Sequence, residues 1–239
     1  MPGLYRDHGI VLRTYKLGEA DRIVSFVTER HGKVRAVAKG VRKTKSRFGA
    51  RLEPTSHVAL QLYQGRELDI VTQAESVDHF RALREDLDRL TRAHSMLEAV
   101  DQVAQEREPD PRLYQLLLRG LRTLAAGDRP LLLAAFFWKL LALEGVAPLV
   151  DRCVACGATD DLVAFDAHEG GVLCRADRRG TALSGEALLL LRRVLGGQLV
   201  EALAEEPSPA VVELDHLATR TLEHHLERRL RSVALLDRG

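Results

Sequence analysis

The sequence predicts an α+β protein that begins with a five-stranded barrel and continues as a helical domain with a small cysteine-bearing insertion. Three observations lead to this fold class. Short β-branched segments separated by turn residues occupy the N-terminal third, apolar residues follow at helical spacing, and a pair of cysteines interrupts the helical part. The predicted domains are a barrel at 1–77, a helical domain at 78–239 and an insertion at 150–180.

The N-terminal third contains five strand-like segments with partial alternation, at residues 9–15, 22–28, 33–39, 57–63 and 67–73. Gly32 and Gly65 stand between two pairs of these segments, and each is predicted to supply the positive φ of a tight hairpin turn. Five antiparallel strands in so short a length fit a small closed barrel, and the OB-fold is the commonest barrel with that strand count. An SH3-like barrel is the alternative.

The rest of the chain shows helical spacing over residues 78–107, 111–125, 130–144, 184–195 and 209–231. The third of these segments is apolar nearly all round, which predicts a central buried helix. No run of about 18 apolar residues and no secretory signal occurs, so we expect a soluble cytoplasmic protein without a membrane partner.

Basic residues are concentrated near the N-terminus. The formal net charge of the chain is only +1, but residues 1–80 contain 14 Lys and Arg against 9 Asp and Glu. No acidic residue occurs between His31 and Leu52, and the segment 40–56 is predicted to be a mobile loop. The candidate nucleic-acid-binding residues are Lys33, Arg35, Lys39, Arg42, Lys43, Lys45, Arg47, Phe48 and Arg51.

These residue types suit single-stranded nucleic acid. OB barrels bind single strands by placing basic loops along the phosphates and stacking bases on exposed aromatic rings. Phe48 is the main candidate ring, and Tyr5, Tyr15 and Tyr63 are weaker candidates because each could simply cover an end of the barrel. Two other interpretations remain open. The basic run could be only a solvated face, and an RNA-binding OB-fold protein would share the same electrostatic features.

The cysteine cluster has the spacing of a structural zinc site. Cys153-x2-Cys156 is followed by 17 residues and then by Cys174-x2-Asp177, so two pairs of ligands can face one another across a ribbon. Three interpretations remain open. The three cysteines could hold zinc together with Asp177, they could hold it together with His168, or the site could have lost its metal. A catalytic zinc would need an open position in a cleft, which an insertion between helices does not offer.

No enzymatic function is predicted. The sequence lacks a Gly-rich phosphate loop and the GxSxG and HExxH motifs, and no histidine has a nucleophile and a carboxylate at the spacing of a triad. We therefore expect no small-molecule substrate and treat a zinc-dependent hydrolase only as a rival hypothesis.

Two stretches of the chain resemble the signature of the bacterial RecO family of DNA repair proteins. The first comprises LGEADRIV at 17–24, Thr28, Gly32-Lys33 and AKGVR at 38–42, and the second comprises KLLALEGVAP at 139–148 running into Cys153-x2-Cys156-Gly157. The resemblance covers the whole chain in order. The chain departs from the family pattern at Asp177, where zinc-bearing members usually have a second CxxC.

The resemblance implies an N-terminal OB-fold, a helical domain with a zinc-ribbon-like element, and binding of single- and double-stranded DNA at the nucleoid. It also implies annealing of complementary strands and a mediator role, in which the protein with RecR helps RecA to replace the single-strand-binding protein SSB. The acidic, apolar C-terminal tail of SSB would need an apolar groove with a basic rim. Candidate rim residues are Arg119, Arg122, Lys139 and Arg152.

Overall fold

The computed structural model describes residues 3–46 and 48–233, so Arg47 of the predicted basic set lies outside the described residues. The described chain forms two compact units that divide after Ala126. The elements of the first unit are β1 (Leu4–Leu17), β2 (Asp21–Thr28), β3 (Gly32–Ala38), a 3-10 helix (Gly49–Leu52), β4 (His57–Tyr63), β5 (Asp69–Asp78), α1 (Arg81–Arg84), α2 (Leu87–Val103) and α3 (Pro111–Ala126).

The five strands of the first unit form a closed barrel in the order β1-β2-β3-β5-β4. Strand β1 pairs antiparallel with both β2 and β4, and a register shift between Val11 and Arg13 marks the bend that allows this. The barrel is completed by a short parallel pairing in which Ala36 and Val37 of β3 face Asp69 and Ile70 of β5. This is an OB-fold barrel, and the predicted fold class is confirmed.

The core of the barrel comes from the inward-facing positions of the strands and from the connection between β3 and β4. Val34, Ala36 and Ala38 alternate inward along β3, as the period of two requires. The connection adds Val41, Phe48 and Leu52 to the same core. The prediction of a mobile loop that displays Phe48 is therefore wrong, because the ring is only 1% exposed and its burial anchors the connection.

Of the two predicted hairpin glycines, only Gly32 has the expected conformation. Its φ is +66°, which favours glycine, whereas Gly65 does not have a positive φ. Gly65 is required for a different reason, because a Cβ at this position would lie 1.9 Å from the carbonyl oxygen of Leu68. The prediction for Gly65 is corrected accordingly: residues 64–68 form a longer connection between β4 and β5.

The segment between α2 and α3 packs along the edge of β3. The amide of Lys33 donates to the carbonyl of Gln105, and the amide of Arg107 donates to the carbonyl of Lys33. Arg107 then reaches the buried Asp69 on β5 with two hydrogen bonds of 2.6 and 2.9 Å. These contacts attach the first helices of the chain to the barrel.

A second attachment joins the start of β4 to α3. The ring Nε2 of His57 lies 2.7 Å from the hydroxyl oxygen of Tyr114, and both side chains are buried. Burial, with the nearby charges of His8 and Arg122, lowers the pKa of His57 to about 4. His57 is therefore neutral at pH 7 and acts as part of the packing.

The second unit consists of residues 127–233 and contains four helices and a small three-stranded sheet. Its elements are α4 (Leu132–Leu143), β6 (Leu162–Asp166), β7 (Gly171–Cys174), β8 (Thr181–Ala182), α5 (Gly185–Leu195), α6 (Leu199–Ala202) and α7 (Pro209–His225). Helix α4 is buried along most of its length, as predicted, and its Trp138 packs edge-on against Phe165 with ring centroids 5.6 Å apart. In the part of the chain that the structure describes, no helix combines the length and apolarity needed to cross a membrane.

Candidate nucleic-acid surface and metal centre

The basic connection, defined here as residues 39–46 after β3, is held at its base and exposed at its tip. The amide of Gly40 donates to the carboxylate of Asp21 at 2.7 Å. The Arg42 guanidinium donates to the carbonyl oxygen of Glu19 at 2.9 Å, and the Arg42 amide donates to that of Ala20. These bonds fix the basic connection to the turn between β1 and β2, so the arginine predicted to bind phosphate has a structural role as well.

Three lysines of the basic connection offer unneutralised charge. Lys39, Lys43 and Lys45 are exposed, and across residues 3–46 and 48–233 no ion pair joins any of them to a carboxylate. Ammonium groups in such positions are available to bind phosphates. They form the strongest part of the predicted nucleic-acid surface.

The two basic residues on β3 itself are neutralised. Lys33 is largely buried, with its Nζ 2.8 Å from a carboxylate oxygen of Asp101, and Arg35 is paired with Glu106 at 2.7 Å. The predicted role of Lys33 in binding nucleic acid is corrected, because Asp101 already holds its charge inside the fold. Asp101 also pairs with Arg13 at 3.1 Å. Arg51 donates to the carbonyl oxygen of Phe48 within its own turn.

Sequence reasoning did not identify Asp101, Glu106, Asp69 or Arg107. Each belongs to an ion pair with a residue far away along the chain, and neither spacing nor composition signals such a partner. The local sequence gives only an indirect indication that such partners exist. The basic run has no acid of its own, so any neutralising acid had to come from another element.

The predicted metal ligands come together in the second unit. One ligand atom from each of Cys153, Cys156, Cys174 and Asp177 lies within 4.8 Å of every other. The Sγ atoms of Cys156 and Cys174 are 3.7 Å apart, and Asp177 Oδ2 is 3.4 Å from Cys153 Sγ and 3.3 Å from Cys174 Sγ. His168 lies outside this cluster, with its ring 6.1 Å from that of His224.

Two turns shape the cluster. The amide of Gly157 donates to the carbonyl of Cys153, and Gly157 has a φ of +80°, so the chain turns sharply around the first pair of cysteines. The amide of Val154 donates to the carbonyl of Val172 on β7, which places this turn beside the strand that ends at Cys174. Hydrogen bonds from Cys156, Cys174 and Cys153 lower the pKa of Asp177 below its usual range.

The donor set and its dimensions fit a tetrahedral ion. Zinc–sulfur bonds of about 2.3 Å and zinc–oxygen bonds of about 2.1 Å at tetrahedral angles require about 3.8 Å between sulfurs and about 3.6 Å between sulfur and oxygen. The measured separations agree with these values within a few tenths of an ångström. Three thiolates and one carboxylate in this arrangement can therefore hold a metal ion.

The four residues predicted to contact the SSB tail are divided between the two units. Arg119 and Arg122 are exposed on α3 of the first unit, whereas Lys139 on α4 and the exposed Arg152 belong to the second unit. Within α3, the two arginines are three residues apart and share one face. Their grouping with Lys139 and Arg152 stays a prediction.

Comparisons with known proteins identify the family. The family model described as Recombination protein O N terminal matches residues 1–80, and the one described as Recombination protein O C terminal matches residues 84–234. The chain belongs to the RecO family. The resemblance found in the sequence is confirmed, and the chain is a DNA repair protein of this family.

Similar relatives match nearly the full length of this chain. It is 45% identical over 242 residues to the DNA repair protein RecO of Frankia casuarinae, with 99% of each chain covered. It is 45% identical to the protein of the same name from Nocardioides sp., covering 98% of this chain and all of the relative. Identity to that of Thermobifida fusca is 43%, with 99% of each chain covered.

Proposed function

We propose that this chain binds single- and double-stranded DNA, anneals complementary strands and, with RecR, assists the loading of RecA onto SSB-coated DNA. The observation that supports this function most directly is the set of three exposed, unneutralised lysines on the basic connection of an OB-fold barrel. Relatives that match almost the whole chain are named DNA repair proteins, which favours DNA over RNA as the ligand. This activity would place the protein in the cytoplasm, with the nucleoid.

Annealing needs no active site. Two complementary strands repel one another through their phosphates, and cations that neutralise several phosphates lower this barrier. Ammonium groups bind the backbone and leave the base edges available for pairing. Lys39, Lys43 and Lys45 carry this role in the proposal, with Arg42 holding the connection in place and Lys33 contributing to the fold.

The test replaces Lys39, Lys43 and Lys45 together by Ala and measures binding of a labelled single strand by anisotropy over a range of salt concentrations. Each phosphate contact contributes about 0.7 to the slope of log K against log salt concentration for a single strand. Loss of three contacts therefore reduces the magnitude of that slope by about 2. Annealing of complementary oligonucleotides slows in parallel.

A matched control removes three positive charges from elsewhere. Arg66, Arg129 and Arg220 are exposed and lie outside the basic connection, so their joint replacement by Ala changes the net charge equally. This control retains the slope of the original protein. An unchanged slope in the triple lysine variant, or equal losses in both variants, would exclude the basic connection as the DNA site.

We further propose that the metal of the cysteine cluster is zinc, which would crosslink the two ligand turns as a structural ion. Purification without chelators is expected to yield about one zinc per chain by mass spectrometry. Asp177→Ala lowers this ratio or weakens retention against a chelator, because only three thiolates remain. Asp160→Ala is the control, since Asp160 lies in the same unit, exposed and outside the cluster. Absence of zinc from the original protein would contradict the proposal.

The SSB contact in the proposal is made through the acidic C-terminal tail of SSB. Arg119, Arg122, Lys139 and Arg152 are the proposed contacts, because guanidinium and ammonium groups pair with carboxylates. Anisotropy of a labelled tail peptide would test each residue by replacement with Ala. Equal affinity of the peptide for Lys139→Ala and the original protein would remove Lys139 from the site.

A further inference from the structure

Among the Phe, Tyr and Trp side chains of the part of the chain that the structure describes, two rings stand out as exposed. Tyr15 on β1 is 45% exposed and Tyr63 on β4 is 43% exposed, whereas the Phe, Trp and remaining Tyr rings are buried or half-buried. Bases of single-stranded DNA stack on exposed aromatic rings of this kind. Among the described residues, these two tyrosines are therefore the phenol, indole and phenyl rings that a base can reach.

Tyr15 lies on the outer face of the barrel at the end that carries the basic connection. It is opposite Ile23 on β2, and Ile23 is opposite Val37 on β3. Val24, next to Ile23, and Ala36 and Ala38, on either side of Val37, point into the core. The cross-strand row of Tyr15, Ile23 and Val37 therefore points outward. The next outward position after Val37 is Lys39, the first lysine of the basic connection.

This row is short enough for one nucleic-acid strand to contact both the Tyr15 ring and the lysines of the basic connection. Neighbouring strands are about 4.8 Å apart, so about 10 Å separates the backbone at Tyr15 from that at Val37. The turn between β1 and β2, which begins three residues after Tyr15, is the turn that Arg42 holds through backbone carbonyls. The ring and the lysines therefore belong to one continuous surface.

The Tyr15 ring is also held in position. The guanidinium of Arg13 donates to the Tyr15 hydroxyl at 2.8 Å and lies 5.7 Å from the ring centroid, while Asp101 pairs with the same guanidinium at 3.1 Å. A ring that is fixed before binding loses little conformational entropy when a base stacks on it. Arg13 is thus a positioning residue for the ring.

We infer that Tyr15 is a base-stacking residue for single-stranded DNA, an inference that rests on the proposed DNA-binding function. The lysines of the basic connection bind phosphates and supply salt-dependent affinity, and Tyr15 supplies affinity that does not depend on salt. Tyr63 does not share this role. It is opposite Leu4 and Ile70, near the opposite end of β1 from Tyr15.

The test compares binding of an oligothymidine and an abasic oligonucleotide of equal length by fluorescence anisotropy. Tyr15→Ala weakens binding of oligothymidine by about 5- to 150-fold, the range for loss of one stacked base. It leaves both the affinity for the abasic strand and the salt slope unchanged. Tyr15→Phe retains most of the affinity because the ring remains, and Tyr63→Ala, the matched control, binds both strands like the original protein.

Two results would overturn the inference. Equal binding of oligothymidine by Tyr15→Ala and the original protein would exclude stacking, and an equal loss on both oligonucleotides would show that Tyr15 acts only through the structure. The proposed function fails separately, since it predicts that the original protein binds even the abasic strand in a salt-dependent way. Circular dichroism of each variant confirms that the barrel is retained.

Discussion

Replacing Arg107 by Ala should destabilise the first unit by leaving a buried carboxylate without its cation. The Asp69 side chain is 0% exposed and receives two hydrogen bonds from the Arg107 guanidinium. It also accepts hydrogen bonds from the hydroxyl of Tyr5 and from the amide of Gly65. Arg107 is therefore the cation that compensates this charge, and it joins the segment after α2 to strand β5.

Arg107→Ala is expected to lower the free energy of unfolding of the first unit by about 2–3 kcal/mol. Removal of one partner from a fully buried ion pair costs about 3–5 kcal/mol. The Arg107 side chain is 40% exposed, and two hydrogen bonds to Asp69 remain in the variant, so the cost falls below that range. Arg112→Ala is the matched control. Arg112 pairs with Asp110 at 3.5 Å, but its side chain is 76% exposed, and its loss should cost at most about 0.5 kcal/mol.

The loss should depend on pH. Burial raises the pKa of Asp69, but the hydrogen bonds from Arg107 and Tyr5 outweigh burial and leave it below its usual value. A carboxyl with a lowered pKa in the fold adds stability above its unfolded pKa of about 3.9, and this stability is lost as the pH falls through the folded pKa. Without Arg107, burial is opposed only by the hydrogen bonds from Tyr5 and Gly65, so the pKa of Asp69 rises relative to that in the original protein. The difference between variant and original therefore shrinks below about pH 5.

Hydrogen exchange along a urea series, read by mass spectrometry, would measure the loss. Peptides that cover residues 64–78 and 104–110 report the opening of the Asp69–Arg107 contact, and peptides that cover 162–174 in the second unit serve as the reference. Asp69→Asn in the Arg107→Ala background removes the buried charge and should recover part of the stability. If Arg107→Ala costs no more than Arg112→Ala at pH 7, the buried pair does not stabilise the fold as argued.

Two further predictions concern the barrel. Phe48→Ala should lower the free energy of unfolding by about 3–5 kcal/mol, since the ring fills the core, whereas an exposed stacking ring would lose DNA affinity without losing stability. Gly32→Ala should cost clearly more than Gly18→Ala in urea unfolding. Both glycines have positive φ, but a Cβ at Gly32 would lie 2.2 Å from the carbonyl oxygen of Glu108, and one at Gly18 would have no atom within 4 Å. Equal costs would show that the segment after α2 does not approach Gly32 closely.

Features that are set by residues close to one another in the sequence could be predicted from it. Strand segments followed from alternation, and the buried helix α4 followed from its apolar character on all sides. The metal cluster could be predicted because its ligands form two short-range pairs, Cys153-x2-Cys156 and Cys174-x2-Asp177, on turns that face each other. In each case the determining residues lie within a few positions of one another.

Only the tertiary structure decided which cations of the basic N-terminal third are available to DNA. Lys33 and Lys39 belong to the same run, yet Asp101, 68 residues further along, neutralises Lys33 and leaves Lys39 exposed. The structure likewise buries Phe48 and exposes Tyr15. Such outcomes depend on which distant segments pack together, and composition and periodicity carry no information about that pairing. The sequence by itself therefore determined the barrel, the buried helix α4 and the residues of the cysteine cluster, while long-range packing determined which charges and rings are exposed.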